Sequence, residues 1–199
     1  IVSDEIYENL IYGDHEHVSV ASFGEAVKAR TIVVNGVSKT YAMTGFRIGY
    51  AAGPREVIDA MSNAQSQATS APNTPAQAAA TRALTMPQDC VQTMRKAFEE
   101  RRDAIVRGIN AIPGLSCVKP DGAFYVMMNV SALLGKRIDG QPIADCAAFA
   151  TALLTHAKVA VVPGNAFMAE GYCRLSYAVS MANIREGLSR IEAFVKSLT

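Results

Sequence analysis

The stretch Thr31-Ile32-Val33-Val34-Asn35-Gly36-Val37-Ser38-Lys39-Thr40-Tyr41-Ala42-Met43-Thr44-Gly45-Phe46-Arg47-Ile48-Gly49-Tyr50-Ala51-Ala52 sets two short apolar runs on either side of a polar loop. Runs this short suit strands better than helices. Thr31 to Val34 reads as a buried strand closed by the turn pair Asn35-Gly36, and Arg47 to Ala52 as a second one closed by Gly53-Pro54. Ahead of them, Ile1-Val2 reads as the middle of a further strand that runs into Ser3-Asp4-Glu5-Ile6-Tyr7. Behind them, residues 56–68 suit a helix, and Asn73-Thr74-Pro75 punctuates before an alanine-rich helix over 76–84, with Pro75 in its first turn. Strands alternating with helices describe an α/β domain.

Further on, Val91, Met94, Phe98, Ile105, Ile109 and Ile112 recur at helical spacing, which predicts one long helix from about 87 to 112, stopped by Pro113-Gly114. The pattern then shifts to a strand over 122–129, a helix over 143–156, strands over 159–162 and 173–178, and a closing helix over 181–198 with Ser180 as its N-cap. The expected division is therefore part of a large α/β domain over 1–90 and a smaller α+β domain over 91–199. Residue 1 is Ile rather than Met, and the chain reads as the later part of a longer one.

Composition narrows the function classes. Half of the 199 residues are hydrophobic and 19% are charged, enough apolar surface for a packed core. Nineteen basic against eighteen acidic residues leave a net charge of +1, with no field to draw nucleic acid or an anionic membrane. No apolar run is long enough to span a bilayer. Cys90, Cys117, Cys146 and Cys173 lie at least 27 positions apart, with no C-x-x-C pair, and the histidines do not cluster into a metal site. Reduced cysteines in the cytoplasm are the expectation.

Lys39 is hard to explain as structure, because its loop is neither amphipathic nor charged. An amine held at the ends of buried strands loses hydration, which favours its neutral, nucleophilic form; an ordinary loop lysine would keep its head in water. Arg47, eight positions later, starts the next strand, where a guanidinium needs an anion: a phosphate, or an acid in a strand-end ion pair. Gly36, Ser38 and Gly45 permit the close backbone approach a phosphate site needs, although no nucleotide-loop motif is present. Asp4 and Tyr7 stand at a strand's carboxyl end, where an aspartate can hold a cationic ring nitrogen and a tyrosine can donate to a phenolate, or where the two merely cap a turn and pack a ring. Alternation places Arg174 on one strand face with Ser176, opposite Leu175 and Tyr177, as a carboxylate fork or a solvent-facing arginine. His15, His17 and His156 show no catalytic pattern.

Ser3-Asp-Glu-Ile-Tyr7, Gly36-Val-Ser-Lys39, Met43-Thr-Gly-Phe-Arg47-Ile-Gly-Tyr50, Gly122-Ala-Phe-Tyr125, Val162-Pro-Gly164 and Arg174-Leu-Ser176 together closely resemble the class I/II pyridoxal-phosphate-dependent aminotransferases of fold type I. The order and spacing match throughout, and the bacterial-type aspartate aminotransferases are the most similar members. The resemblance implies a homodimeric enzyme exchanging an amino group between an L-amino acid, aspartate first, and a 2-oxo acid such as 2-oxoglutarate. It implies pyridoxal 5'-phosphate on Lys39 as a Schiff base, Asp4 at the ring nitrogen, Tyr7 at the ring oxygen, Arg47 on the phosphate and Arg174 on the substrate α-carboxylate. No metal is implied. The family's N-terminal half is absent, and residue 168 is Met after Phe167, where the family often has Gly. The Ser70 to Thr74 loop resembles a segment that reaches a partner subunit. Another activity of the same fold, such as alanine, aromatic or kynurenine transamination or a lyase reaction, is an open alternative, as is a fragment that keeps the fold without turnover.

Overall fold

The computed structural model describes residues 1–199, which separate into two compact units, Ile1–Arg95 and Lys96–Thr199. The first unit holds β1 (Val2–Asp4), the short helix α1 (Glu25–Lys28), β2 (Ile32–Gly36), β3 (Gly49–Ala52), α2 (Arg55–Ala68) and α3 (Thr74–Thr85). Helix α4 (Asp89–Ala111) runs across the boundary. The second unit adds β4 (Ser116–Cys117), β5 (Tyr125–Asn129), the small pair β6 (Arg137–Ile138) and β7 (Gln141–Pro142), α5 (Cys146–Ala152), β8 (Val162–Pro163), β9 (Tyr172–Ser176) and α6 (Met181–Ser197).

In the first unit β1, β2 and β3 form a sheet in that order, β1 parallel to β2 and β3 antiparallel to it. Two strand limits differ from the sequence reading. Asn35-Gly36 is not a turn but the end of β2, paired with Tyr50 and Gly49. The glycine serves the ladder instead, since a Cβ on Gly36 would stand 2.8 Å from the Ile48 carbonyl oxygen. The following strand begins at Gly49, so Arg47 lies before it, closing a 3-10 turn over Thr44–Phe46. Val37 and Ile48 pack with Ala76 and Ala80 of α3, and Tyr41 and Met43 lean on that cluster. Asn73 caps α3, its side chain accepting from the Ala76 amide at 3.1 Å. Helix α2, by contrast, buries no residue.

The second unit is built on an antiparallel sheet in the order β4, β5, β9, β8. Val126 pairs with Leu175 and Met128 with Cys173, and all four are buried on one face. The other face carries Tyr125, Met127, Tyr172 and Arg174 half-buried and Ser176 exposed, as period-two alternation requires. On the apolar side Phe149 of α5 and Phe194 of α6 meet edge to face at 5.6 Å. Gly108 of α4 admits Leu188 of α6 so closely that a Cβ would stand 2.3 Å from its Cδ1. Ser180 caps α6 as expected, accepting from the Asn183 amide.

Three limits are corrected here. The helix expected over 143–156 is α-helical only from Cys146 to Ala152 and continues as a π turn over Leu153–Ala157, ended by Lys158 in the left-handed region. That φ of +57° delays β8, so the strand expected from Val159 starts at Val162. Likewise Ala123 at φ +59° postpones β5 to Tyr125. No helix is long and apolar enough to cross a membrane.

Candidate active site

The registers of the first sheet decide which loops meet. Asp4 lies beside Val34, and Gly36 beside Gly49 of a strand running the other way. The carboxyl ends of β1 and β2 and the start of β3 therefore share one end of the sheet, the end at which open α/β sheets gather ligands. Asp4 closes β1 and Tyr7 follows in the next turn; Lys39 sits in the turn just past β2; Arg47 immediately precedes β3.

Lys39 stands between the buried Val37 and Thr40. Its side chain is half-buried rather than enclosed, on a turn in which the Ala42 N–H donates to the Lys39 carbonyl at 3.3 Å. Its ammonium lies 5.9 Å from the centroid of the Tyr7 ring. Two non-glycine residues of this loop, Ala42 at φ +54° and Arg47 at φ +55°, occupy the left-handed region. Such conformations cost energy and persist where the surroundings impose them, often at functional sites.

The Arg47 guanidinium is exposed and donates to the Thr44 carbonyl at 2.8 Å. It makes no ion pair with an acid, so the strand-end salt bridge is not formed. It lines an open cleft of about 660 Å³ with Met43, Gly45, Phe46 and Asn73. Lys39, Asp4 and Tyr7 are not among that cleft's lining residues. Asp4 is exposed, one oxygen accepting from the Ile6 amide at 3.2 Å.

Beside Asp4 lies a group to which the sequence reading gave no role. Glu5 is buried, its amide donating to the Val34 carbonyl at 2.9 Å. Its carboxylate accepts from Ser3 at 3.0 Å and Ser19 at 2.8 Å and meets His17 Nε2 at 2.9 Å. Burial pushes the Glu5 carboxyl upward, but the hydrogen bonds from His17, Ser19 and Ser3 outweigh it and hold it below the usual carboxylate range. Glu8 brings a further oxygen, the three ligand atoms of Glu5, Glu8 and His17 lying within 4.8 Å of one another. His17 thus pins the segment after the first turn to the end of β1. No local pattern in the sequence signals it, because the two residues stand twelve positions apart and meet only through the fold.

Arg174 belongs to the second unit, where its guanidinium carbon lies 4.3 Å from the Tyr125 ring centroid and 4.2 Å from that of Phe167. The sheet explains the first contact: Arg174 pairs with Met127, and Tyr125 is the diagonal neighbour on the same face. Phe167 comes from the 3-10 turn Gly164–Phe167, which directly follows β8, whose Val162 pairs with Arg174. That turn ends at Met168, left-handed at φ +56° and 97% exposed. The sequence assigns neither aromatic residue a role; Tyr125 is signalled only by the Gly122-Ala-Phe-Tyr125 motif, and Phe167 by its place two residues after Asn165 in the segment that follows Val162-Pro-Gly164.

The family profile for aminotransferase class I and II matches residues 1–191. The chain is 52% identical over 196 residues to an aspartate aminotransferase from Bacillus sp. strain YM-2, covering 98% of this chain and 49% of that protein. It is 47% identical over 194 residues to one from Rhizobium meliloti strain 1021, covering 97% and 47%. The fold superposes on the Rhizobium meliloti aspartate aminotransferase crystal structure with a TM-score of 0.96 at 47% identity, over 100% of this chain and 50% of that one. An aromatic aminotransferase from Pyrococcus horikoshii gives a TM-score of 0.89 at 39% identity, over 98% and 50%. The chain spans about half the length of these relatives.

Proposed function

The chain belongs to the class I and II aminotransferases, and from that premise we propose that it is the C-terminal portion of a pyridoxal 5'-phosphate-dependent enzyme that moves an amino group from aspartate to 2-oxoglutarate. The choice of aspartate follows from relatives of that name at 45–52% identity. The observation that carries the reading is the sheet register, which assembles a carboxylate, a tyrosine, a lysine and an acid-free guanidinium at one end of the sheet.

That donor set fits the cofactor. Asp4 keeps lone pairs free beside the one that accepts from Ile6, enough to hold a protonated ring nitrogen. Tyr7 would donate its hydroxyl to the ring oxygen, and Arg47, lacking an acid, would clamp the phosphate. Lys39 would be the covalent anchor; once displaced by the substrate amine, its Nζ would take the proton from the substrate α-carbon and return it on the far side of the exchange. Bound pyridoxal phosphate supplies an electron sink for the charge left when that C–H bond breaks. Arg174 would bind the substrate α-carboxylate and so orient the breaking bond.

The enzyme is proposed to be a cytoplasmic homodimer. Within the first unit α2 buries no residue and leaves Val57 and Met61 in solvent. Surface of that kind suits cover by further chain and by a second subunit, with the Ser70 to Thr74 loop reaching across. The test is to load the full-length protein with pyridoxal phosphate, reduce it with borohydride and map the label. Visible absorbance lost on reduction and one labelled lysine, Lys39, are expected. No reducible absorbance, or a label elsewhere, would sink the reading.

A further inference from the structure

Arg174 is contacted by two aromatic rings that come from different parts of the second unit, Tyr125 from β5 and Phe167 from the turn after β8. A guanidinium is a planar fork whose donors all point outward in its plane, and rings whose centroids lie 4.3 and 4.2 Å from its carbon hold it by contacts that need none of those donors. The cation is more weakly hydrated than an ammonium and stacks on such rings without spending a single N–H donor. It also pairs with no acid within its unit, since neither the ion pairs nor the hydrogen bonds of the structure include the Arg174 side chain. A fork fixed in orientation, with its edge unspent, is suited to a planar carboxylate taken two oxygens at a time.

We infer that Tyr125 and Phe167 are positioning residues, which set the orientation of the Arg174 fork and through it the binding of the substrate carboxylate. The inference deepens the proposed function and rests on Arg174 being the carboxylate ligand. The role is assigned to the ring of Tyr125 rather than to its hydroxyl. Phe167 is 39% exposed, so replacing it leaves the core intact.

The experiment uses the full-length holoenzyme carrying Arg174→Ala, Tyr125→Leu, Phe167→Leu, Tyr125→Phe or Phe167→Tyr. Two quantities are read: kcat and KM for aspartate and 2-oxoglutarate, and the Kd of maleate, a non-reacting dicarboxylate, by calorimetry. Each leucine variant is expected to raise KM and the maleate Kd roughly 3- to 10-fold with kcat changed less, and each ring-for-ring variant to stay within about twofold of the parent. Cofactor absorbance should be unaltered in all of them. Leucine variants that bind maleate like the parent, beside an Arg174→Ala variant that does not, would overturn the positioning role alone. Ring-for-ring variants as damaged as the leucine variants would overturn it too. An Arg174→Ala variant with unchanged kcat/KM and maleate Kd would take down the assignment of Arg174 and this inference with it. Should Tyr125→Leu fail to fold, the Phe167 pair decides.

Discussion

The Lys39 ammonium lies 5.9 Å from the centre of the Tyr7 ring, although the two residues stand on turns that follow different strands. Their meeting follows from the parallel pairing of β1 with β2, which brings both turns to one end of the sheet. Tyr7→Phe keeps the ring and deletes the hydroxyl. The expected result is pyridoxal phosphate retained within about threefold and kcat lowered about tenfold, the worth of one hydrogen bond to a charged oxygen. No loss in either quantity would mean the ring, not the hydroxyl, is what counts.

Arg47 offers a cleaner separation, because its guanidinium has no acid to lose. Arg47→Ala should weaken pyridoxal 5'-phosphate about a hundredfold, given roughly 1.5–3 kcal/mol for a charge-assisted hydrogen bond. Pyridoxal, which lacks the phosphate, should bind the variant and the parent alike. Dissociation constants for the two aldehydes, followed by absorbance, settle the point; a matching drop for pyridoxal removes Arg47 from the phosphate.

Acid should reveal the Glu5 hub. A carboxyl held below its unfolded value stabilises the fold above the ordinary carboxylate range, and that contribution fades as pH falls through the folded value, below 4.5. Glu5→Gln should therefore cost about 1–3 kcal/mol at neutral pH, and its deficit should shrink as pH falls through and below the ordinary carboxylate range. Urea midpoints for both proteins across that range measure it. A deficit independent of pH would show that ionisation of Glu5 is not what stabilises this corner.

The turn bearing Phe167 makes opposite demands on two of its residues. Met168 holds φ +56°, so Met168→Gly should gain about 0.5–1 kcal/mol by relieving a left-handed side chain. Gly164 has no room at all: a Cβ there would stand 2.1 Å from the Ala169 carbonyl oxygen and 2.6 Å from that of Tyr172. Gly164→Ala should cost upwards of about 2 kcal/mol, as overpacking against backbone does. Thermal melts that rank the two variants the other way would contradict this geometry.

Legibility in the sequence tracked how local the governing interaction was. The alternation in Tyr172 to Tyr177, the Ser180 cap and the apolar period of α4 are set by neighbours a few residues away, and the structure follows them. Limits failed where a backbone had to turn left-handed without glycine, at Ala123, Arg47 and Lys158, since only tertiary packing imposes such angles. The Asn35-Gly36 pair misled for a related reason: glycine there answers to the approach of Ile48 across the sheet, not to a turn.

By itself the sequence singled out Lys39, Asp4, Tyr7, Arg47 and Arg174 as the proposed site residues, through the motifs that carry them and their places at the ends of apolar runs. It also determined the α/β order of the first unit, through apolar runs of strand length alternating with helical periods. What only tertiary structure decided is who stands beside whom: Glu5 with His17, and Arg174 with Tyr125 and Phe167. Strand register and the path of a turn fix those distances, and both are properties of the paired backbone, to which residue identity contributes only through many weak and distant contacts.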